Sequence, residues 1–567
     1  MKKRKIVCDL CVIGGGMSGI CAAVSAARSG VNVVLVHDRN VLGGNASSEI
    51  RMWIRGAGIA FPDLKEGGLV EELALDNMHY NPEMNYSLWD AVLYNKVVSE
   101  KNIRLLLGTT CIGAEYKNGR IQSITAWQLA SYITYEIEAT NFADCSGDSI
   151  LAEFTDAEIM RGRESRSDFN ERRARETGDQ RTMGNSCMFQ LRKTNDEPAK
   201  HVPFPFETKI PQAQYEGRID FNAIDYETQN FWWLELGGNR DSLKDADEIN
   251  RDLIALNFGV YSDFVNATDN KSGWTLDWAG FLAGKRETRR YVGDYVLTSD
   301  DILNNTPFDD EIAYGGWSLD DHNPDGFYGT EANTHYYLDN PYAIPYRCLY
   351  SKNIENLFFA GRNISATHLA LSSTRVMATC SMLGQAVGFA AAVAKRYNAT
   401  PREVGKTNIR ALQTLLLDND CFLLTKKRKN RLGMTSTDRD LKEEKNVTVL
   451  AKNERLVFEF PKTHCKKLRL VFDSNFQRDE TESPMLKQFP TLCYNTCGKI
   501  RMHTPKTMVK EYVLEVKKNG KWEKKTYTDN FQRLLFQEVN EEIEGVAFTG
   551  VQTHGEKDVR LFSIDVL

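Results

Sequence analysis

A glycine-rich turn between two apolar segments constrains the fold of this chain more than any other sequence feature. Residues 5–13 are apolar and rich in strand-forming side chains, residues 17–29 are rich in alanine, and residues 31–36 again favour a buried strand. The turn after the first segment has the spacing G-x-G-x-x-G, as Gly14-Gly15-Gly16-Met17-Ser18-Gly19. Strand, glycine turn, helix and second strand together predict a βαβ unit with parallel strands, and hence an α/β fold.

The spacing of these glycines indicates a dinucleotide site in a Rossmann-like domain. The first glycine permits a tight turn, the second lets the backbone approach a pyrophosphate, and the third lets the helix pack on the strand. A pyrophosphate would then lie at the helix N-terminus, where unpaired N–H groups and the helix dipole favour negative charge. A purely structural glycine turn is the alternative. The predicted cofactor-binding residues here are Gly14, Gly15, Gly16, Met17, Ser18 and Gly19.

The residue after the second strand departs from the usual dinucleotide pattern. An acidic residue commonly holds the ribose hydroxyls at this point, but here His37 occupies the position and Asp38 follows it. Either side chain can hydrogen-bond a ribose diol, so we predict that both bind the cofactor. Arg39 is included because an arginine there would suit the 2′-phosphate of NADP, which leaves that cofactor open as the alternative.

Further segments resemble the cofactor-binding motifs of FAD-dependent oxidoreductases. Residues 41–51 contain a Gly-Gly pair that follows the second strand directly, and residues 356–363 read NLFFAGRN before an apolar helix. On its own, the region 356–395 could equally be another buried βα unit. The resemblance implies that these segments continue the FAD site through Gly43, Gly44, Asn45, Ser47, Gly147, Asp148, Gly361, Arg362, Gly384 and Gln385.

These motifs together resemble the succinate dehydrogenase/fumarate reductase flavoprotein superfamily. More closely, the chain is similar to a bacterial family of FAD-dependent oxidoreductases with characteristic segments at residues 43–51, 284–290, 313–317 and 358–368. The resemblance implies FAD held non-covalently, because residues 45–49 lack the histidine to which succinate dehydrogenases attach flavin. The chain has no second G-x-G-x-x-G, so we expect electrons to arrive on a small-molecule substrate and to leave to an unidentified acceptor.

Changes of composition along the chain predict four segments. Residues 1–159 and 341–415 are expected to form a split FAD-binding domain, and the charged, aromatic-rich residues 160–340 an inserted α+β substrate domain. Regularly spaced short strands in residues 425–567 predict an accessory β-sandwich, which resembles a galactose-binding jelly roll. The oligomeric state stays open.

Overall composition narrows the functional classes. The chain has 567 residues, of which 42% are hydrophobic and 26% charged, and its net charge of −6 argues against a nucleic-acid-binding protein. Twelve cysteines are too few for a disulfide framework, and their spacing indicates no metal site. The uncharged stretch 376–394 is rich in small residues, which suits a buried helix better than a membrane span. We therefore expect a soluble, cytoplasmic protein.

Candidate catalytic residues lie in two of the family-like segments. His368 follows the second FAD-like motif and is predicted to be the catalytic base, with a structural histidine as the alternative. Arg286, Glu287 and Arg289 lie in a charged run, in which arginines could bind a carboxylate or deliver a proton, as in fumarate reductases. A salt-bridged interdomain hinge is the other interpretation of that run.

Three functional hypotheses follow from these residues. The first is oxidation of a hydroxyl group of a carbohydrate or uronic-acid derivative by hydride transfer to FAD. The second is fumarate-reductase-like chemistry at a C=C bond beside a carboxylate, and the third is a non-catalytic carbohydrate-binding flavoprotein. The first hypothesis also draws on tryptophans that could stack on sugars or simply pack in the core, namely Trp232, Trp233, Trp274, Trp278 and Trp317.

Overall fold

The computed structural model describes residues 2–193, 200–216, 230–266, 273–434, 447–481, 484–491 and 501–567. The strands in the first half of the chain are β1 Lys2–Ile13, β2 Val33–Val36, β3 Ile103–Leu106, β4 Thr109–Lys117, β5 Arg120–Gln128, β6 Ile133–Asp144, β7 Ile159–Arg161, β8 Asn185–Ser186, β9 Phe189–Lys193, β10 Glu235–Leu236, β11 Trp274–Ala279 and β12 Gly284–Lys285. The later strands are β13 Arg289–Tyr291, β14 Glu311–Gly315, β15 Leu319–His322, β16 Asn333–Tyr336, β17 Tyr342–Pro345, β18 Leu357–Phe359, β19 Thr448–Leu450, β20 Arg455–Phe472, β21 Val509–Lys518, β22 Lys521–Tyr527, β23 Leu534–Thr553 and β24 Val559–Val566.

Helices lie mainly between these strands. Their bounds are α1 Met17–Arg28, α2 Leu69–Tyr80, α3 Tyr86–Val98, α4 Arg166–Phe169, α5 Ala246–Asn266, α6 Ser299–Leu303, α7 His368–Thr374, α8 Met377–Tyr397, α9 Pro401–Thr407, α10 Ile409–Asp418 and α11 Pro484–Gln488.

The central sheet has the predicted parallel βαβ unit at its core. Its parallel strands lie in the order β3-β2-β1-β6-β18, and β5 and β4 extend the sheet antiparallel from the first half of β6. The middle strands β1 and β2 are almost wholly apolar in their buried parts, as expected for parallel strands covered on both faces. The mixed α/β fold with a Rossmann-like sheet is thus confirmed.

Helix α8 is the uncharged stretch noted in the sequence. Its length and mean hydropathy of 1.5 would suit a membrane span, but 89% of its most apolar window is buried within the protein. It packs on α1 through small residues: a Cβ added to Gly384 would lie 2.0 Å from the carbonyl oxygen of Ser18. A Cβ added to Gly388 would lie 2.0 Å from Oγ of Ser25. These glycines let the two helix backbones approach closely against the sheet.

The region after the first sheet contains a second hydrophobic core. Side chains of β9, β10 and α5, such as Phe189, Leu236 and Leu253, pack together there, separately from the core of the central sheet. By contrast, Tyr291 and the apolar residues of β14 belong to the core of the central sheet. The predicted inserted segment 160–340 therefore contributes to both cores.

The C-terminal region differs from the predicted two-sheet sandwich. In the described residues its strands form one antiparallel sheet, in the order β19-β24-β20-β23-β21-β22. The long strands β20 and β23, of 18 and 20 residues, pair along most of their length with register shifts, where the sequence pattern suggested several shorter strands. One face of this sheet packs on α2, whose Leu75 joins its core. Two of the twelve cysteines whose spacing indicates no metal site, Cys493 and Cys497, lie in this region but outside the described residues.

Candidate active site

An elongated cavity of about 530 Å³ crosses the carboxyl ends of the parallel strands. Its lining begins with residues that directly follow β1, β2, β6 and β18, which is where open α/β sheets bind their ligands. It ends among aromatic and charged side chains from the later part of the chain. Predicted cofactor residues in the lining are Gly14, Gly16, Met17, Ser18, His37, Asp38, Arg39, Gly43, Gly44, Asn45, Gly147, Asp148, Gly361 and Arg362.

The glycine turn has the geometry that its spacing predicts. Gly14 has a φ of +102°, and a Cβ there would lie 2.4 Å from the carbonyl oxygen of Cys145. A Cβ on Gly19 would lie 1.8 Å from the carbonyl oxygen of Gly14, so only glycine lets α1 pack here. Gly16 is different, because its nearest neighbour to an added Cβ is 3.8 Å away and the space is open cavity. Gly15 is outside the lining.

Both ring nitrogens of His37 hydrogen-bond to the protein backbone, so neither is available to a ribose hydroxyl. Its Nδ1 accepts a hydrogen bond from the backbone N–H of Gly15 at 3.0 Å, and its Nε2 donates to the carbonyl oxygen of Val41 at 3.0 Å. The carboxylate of Asp38, which is exposed and lines the cavity, is therefore the more accessible group for ribose hydroxyls. Arg39 lies 3.3 Å from Glu49, so part of its charge is already balanced.

The Gly-Gly segment forms the opposite wall of the pyrophosphate region. Gly43 and Gly44 have φ values of +110° and +60°, and the N–H of Gly43 donates to the carbonyl oxygen of Gly15 at 2.8 Å. Asn45 lines the cavity and donates to the carbonyl oxygen of Lys285 at 3.0 Å. Ser47 does not line the cavity. Its hydroxyl donates to Gly44 at 2.8 Å and thereby stabilises the turn.

A cluster of ion pairs borders the cavity beside the residues that follow β6 and β18. The carboxylate of Asp148 accepts from Lys285 and from Arg362, both at 2.8 Å. Burial alone would raise the pKa of Asp148, but the charges of Arg362 and Lys285 outweigh it and lower the pKa to about 2. Asp148 therefore orients two cations that border the cofactor region.

Two predicted cofactor residues act at a distance from the cavity. Gly384 lies within α8 and serves the packing on α1 described above. Gln385 is buried, and its side-chain oxygen accepts from the backbone N–H of Leu69 at 2.9 Å. Neither residue borders the cavity, so the expectation that they contact the cofactor directly is corrected. The part of α8 that does face the cavity is its N-terminus, where Val376 and Met377 belong to the lining.

At the far end of the cavity, cationic side chains lie near a buried histidine, His322. Arg55, Arg286 and Arg375 line it, together with Asp320 and His322 of β15. Three tryptophans, Trp53, Trp232 and Trp317, complete this end. The other tryptophans named above pack elsewhere: Trp233 stacks on Phe327, Trp274 packs on the second core, and Trp278 lies under Arg51.

His368 is not placed to act as the predicted base. It is outside the cavity lining, and its two ring nitrogens lie 2.9 Å from Glu287 and 3.0 Å from Asp321. Burial would lower the pKa of His368, but the two carboxylates outweigh it and raise the pKa to about 10. Both ring nitrogens of His368 thus face carboxylates outside the cavity, which favours the structural alternative.

Glu287 and Arg289 also lie outside the cavity lining. Glu287 is fully buried between His368 and Arg290. Arg289 donates to the carbonyl oxygen of Asp148 and to the carboxylate of Glu153. Of the three catalytic candidates in this run, Arg286 alone belongs to the cavity lining among the described residues, and its neighbour Lys285 lines the cavity as well.

Comparison with known proteins decides the family. The family model described as "FAD dependent oxidoreductase" matches residues 9–416, which include every cavity-lining residue. The chain belongs to this family. This FAD-dependent oxidoreductase has no match among curated proteins.

Solved structures similar to this FAD-dependent oxidoreductase share little sequence with it. The Mycobacterium smegmatis Sdh1 in complex with UQ1 is 11% identical, with 73% of each chain covered and a TM-score of 0.31. The Escherichia coli quinol fumarate reductase FrdA is 11% identical, with 72% of this chain and 74% of that chain covered and a TM-score of 0.29. Thermovibrio ammonificans THI4 is 17% identical over 27% of this chain, with a TM-score of 0.21. That match spans 64% of THI4, less than two thirds of its length.

The cavity of this oxidoreductase fits FAD on its own chemistry. The open space beside Gly16, the positive-φ glycines opposite it and the N-terminus of α8 suit a large anionic dinucleotide. In addition, four buried N–H groups of lining residues have no hydrogen-bond partner among the described residues, and these are ready donors for a ligand. They are Nε1 of Trp53, Nε1 of Trp317, Nε of Arg362 and Nε of Arg375.

Sequence reasoning missed several residues at the far end, above all Glu235, Asp320 and His322. Two of them offered a signal, because Asp320 and His322 lie soon after the family-like segment 313–317 and are two residues apart, which puts their side chains on one face of a strand. Glu235 carried no such signal, since it lies in an aromatic-rich stretch. In the described ranges, no group of three or more His, Cys, Asp or Glu residues is arranged to hold a metal ion.

Proposed function

We propose that this FAD-dependent oxidoreductase oxidises a hydroxyl group of an anionic carbohydrate, of the uronic-acid class, and holds its FAD non-covalently. The observation that carries the proposal is the far end of the cavity, where Arg55, Arg286 and Arg375 surround a space lined by tryptophans. Arginine binds carboxylates well because its planar N–H groups match their geometry. Tryptophan rings suit the apolar faces of sugars, and their N–H groups can meet sugar hydroxyls.

Among the arginines, Arg375 has a donor available to an anion. Arg286 is buried and lies 3.3 Å from Glu235, while Arg375 lies 3.2 Å from Asp320. The Nε–H group of Arg375 nevertheless has no hydrogen-bond partner among the described residues. A bound carboxylate could accept from this group, which would fix the sugar ring relative to the cofactor.

The chain's own residues bind and orient the substrate in this proposal. When bound, FAD accepts the hydride and so supplies the redox chemistry. The arginines hold the carboxylate, and the tryptophans shield the site from water. The electrons must afterwards leave to a separate acceptor.

A second candidate is reduction or formation of a C=C bond beside a carboxylate. One observation favours it: burial lowers the pKa of Arg286, although the nearby Glu235 opposes this shift. An arginine with a lowered pKa is a better proton donor, which such a reaction requires. The same arginines would bind the carboxylate in either reaction, so the substrate decides between the candidates.

Anaerobic absorbance of the bound flavin tests the proposal. The holoenzyme is titrated with D-glucuronate, D-glucose and succinate, and we expect bleaching by the uronate but not by glucose at equal concentration. Arg375→Gln should raise the half-saturating uronate concentration about 10–100-fold, while the exposed-site control Arg104→Gln should not change it. Bleaching by succinate alone would establish the second candidate instead.

A further inference from the structure

The far end of the cavity contains one histidine whose two ring nitrogens are held unequally. We propose that His322 is the catalytic base of the reaction and takes up the substrate's hydroxyl proton at Nε2, while Glu235 holds Nδ1. This rests on the proposed function. His322 is 3% exposed, lines the cavity, and lies edge-on to Trp232.

The contact at Nδ1 is the tighter one. Nδ1 of His322 lies 2.6 Å from Oε2 of Glu235, and the carboxylate of Glu235 is buried and ionised. Arg286 is a second close cation, at 3.3 Å, and the other oxygen of Glu235 has no hydrogen-bond partner among the described residues. Glu235 therefore depends on the Nδ1 proton of His322, which fixes the tautomer and the ring orientation.

The contact at Nε2 is longer and replaceable. Nε2 lies 3.2 Å from Asp320, whose carboxylate also receives Nδ2 of Asn333 at 2.7 Å and Nη2 of Arg375 at 3.2 Å. His335 stands 3.3 Å from the same carboxylate. Asp320 thus keeps its charge balanced without a proton on Nε2, so a substrate hydroxyl can take the place of this contact.

The charged groups around His322 come from every element packed on it. They are Glu235 of β10, Arg286 after β12, Asp320 and Asp321 of β15, His335 of β16 and Arg375 after α7. His368 provides the contrast, because its contacts of 2.9 and 3.0 Å are nearly equal and it lies outside the cavity lining.

The proposed step balances in atoms and electrons. The substrate C–H bond breaks and its hydrogen leaves with the electron pair to the FAD, while the O–H bond breaks and its proton goes to Nε2. A C=O bond forms, so the substrate loses two electrons and two hydrogens. The proton on Nε2 is released to solvent when the product leaves.

Nitrogen NMR of the holoenzyme with ¹⁵N-labelled histidine tests the protonation directly, with His322→Asn identifying the His322 signals. We expect the Nδ1 signal of His322 to be that of a protonated nitrogen and its Nε2 signal that of an unprotonated one. His368 serves as the internal control and should be protonated on both nitrogens at neutral pH. If Nε2 of His322 is protonated as well, the proposal is wrong.

The kinetic test uses flavin bleaching by D-glucuronate in the wild type and in His322→Asn, whose amide keeps a donor for Glu235 but offers no base. We expect the bleaching rate of the variant to fall at least ~100-fold. The control is His464→Gln, an exposed residue of β20. A rate retained in His322→Asn would overturn the proposal. If D-glucuronate fails to bleach the flavin of the wild type, the proposed function is wrong. The NMR result then decides separately whether Nε2 of His322 is unprotonated.

Discussion

At the scale of single residues, two glycines of the same turn are required for different reasons. Gly19 is needed for packing, because a Cβ there meets the carbonyl oxygen of Gly14 at 1.8 Å. Gly16 is needed only for the ligand, because its Cβ would enter open cavity space. Substitutions at these two positions should therefore distinguish an effect on folding from an effect on cofactor binding.

We expect Gly19→Ala to destabilise the apoprotein by roughly 1–3 kcal/mol, the usual cost of overpacking, and to reduce FAD binding as a consequence. Gly16→Ala should leave the apoprotein melting temperature unchanged but weaken FAD binding about 10-fold or more, since the methyl group occupies space for the pyrophosphate. Thermal melts of apoprotein and fluorescence titrations with FAD measure the two effects. Equal loss of stability in both variants would contradict this separation.

Residue-level prediction from sequence succeeded where local spacing determines the geometry. The glycine turn is such a case, because strand, turn and helix are contiguous in the chain. It could not foresee that the ring nitrogens of His37 hydrogen-bond to the backbone of Gly15 and Val41, because these contacts depend on the path of the loop. Nor could it place Gly384 against α1, since a glycine facing another helix and a glycine facing a ligand look alike in sequence.

At the scale of elements, strand β15 separates two charged clusters by its alternation. Asp320 and His322 face the cavity, whereas Asp321 faces the opposite side and contacts His368. The charged run after β12 does the same, with Arg286 towards the cavity and Glu287 towards His368. One cluster is thus available for chemistry, and the other fixes the two segments relative to each other.

His368→Gln should therefore act on stability, in a pH-dependent way. It leaves Glu287 and Asp321 without their shared cation, which we expect to cost about 3 kcal/mol at neutral pH. Because the pKa of His368 is raised to about 10, its stabilisation is fully present below the ordinary pKa of 6.5 and disappears as the pH rises through about 10. Melting temperatures of the wild type and the variant should converge across that range, and a gap independent of pH would contradict this role.

Elements were predicted well where the hydrophobic period was unambiguous, as in β1 and α1. The C-terminal strands show the limit of that reasoning. Alternating patterns identified β-structure there, but a pattern of period two does not tell whether neighbouring segments are one long strand or two. The division of the chain at residues 160 and 340 stays a prediction, since Tyr291 and β14 pack with the central sheet.

At the scale of the whole molecule, the C-terminal sheet is fixed to the FAD-binding region by a buried ion pair. Glu71 of α2 accepts from Arg478 at 2.9 Å through both oxygens, and Lys65 lies 3.1 Å away. Burial would raise the pKa of Glu71, but Arg478 and Lys65 lower it to about 2. The stabilisation is thus complete above pH 4.5 and is lost as the pH falls through about 2.

A second contact joins the C-terminal region to a segment next to the cavity. Nε2 of Gln488 in α11 donates to buried Glu66 at 3.3 Å, and Glu66 also accepts from the backbone N–H of Ala57 at 2.8 Å. Ala57 follows the cavity segment that contains Trp53 and Arg55. The C-terminal region therefore packs, through α11, behind the segment that forms one wall of the cavity.

This arrangement predicts that a substitution far from the cofactor weakens cofactor binding. Arg478→Met removes the cation from Glu71 and should lower the melting temperature by at least ~5 °C, since breaking a buried pair costs about 3 kcal/mol. The affinity for FAD should fall with it, because α2 and the wall before it lose their support. Arg501→Gln is the matched control: its partner Glu83 is 2.8 Å away, but both side chains are more than half exposed, so less than about 1 kcal/mol is expected. If Arg478→Met melts earlier yet binds FAD as tightly as the wild type, the sheet stabilises the fold without supporting the cavity.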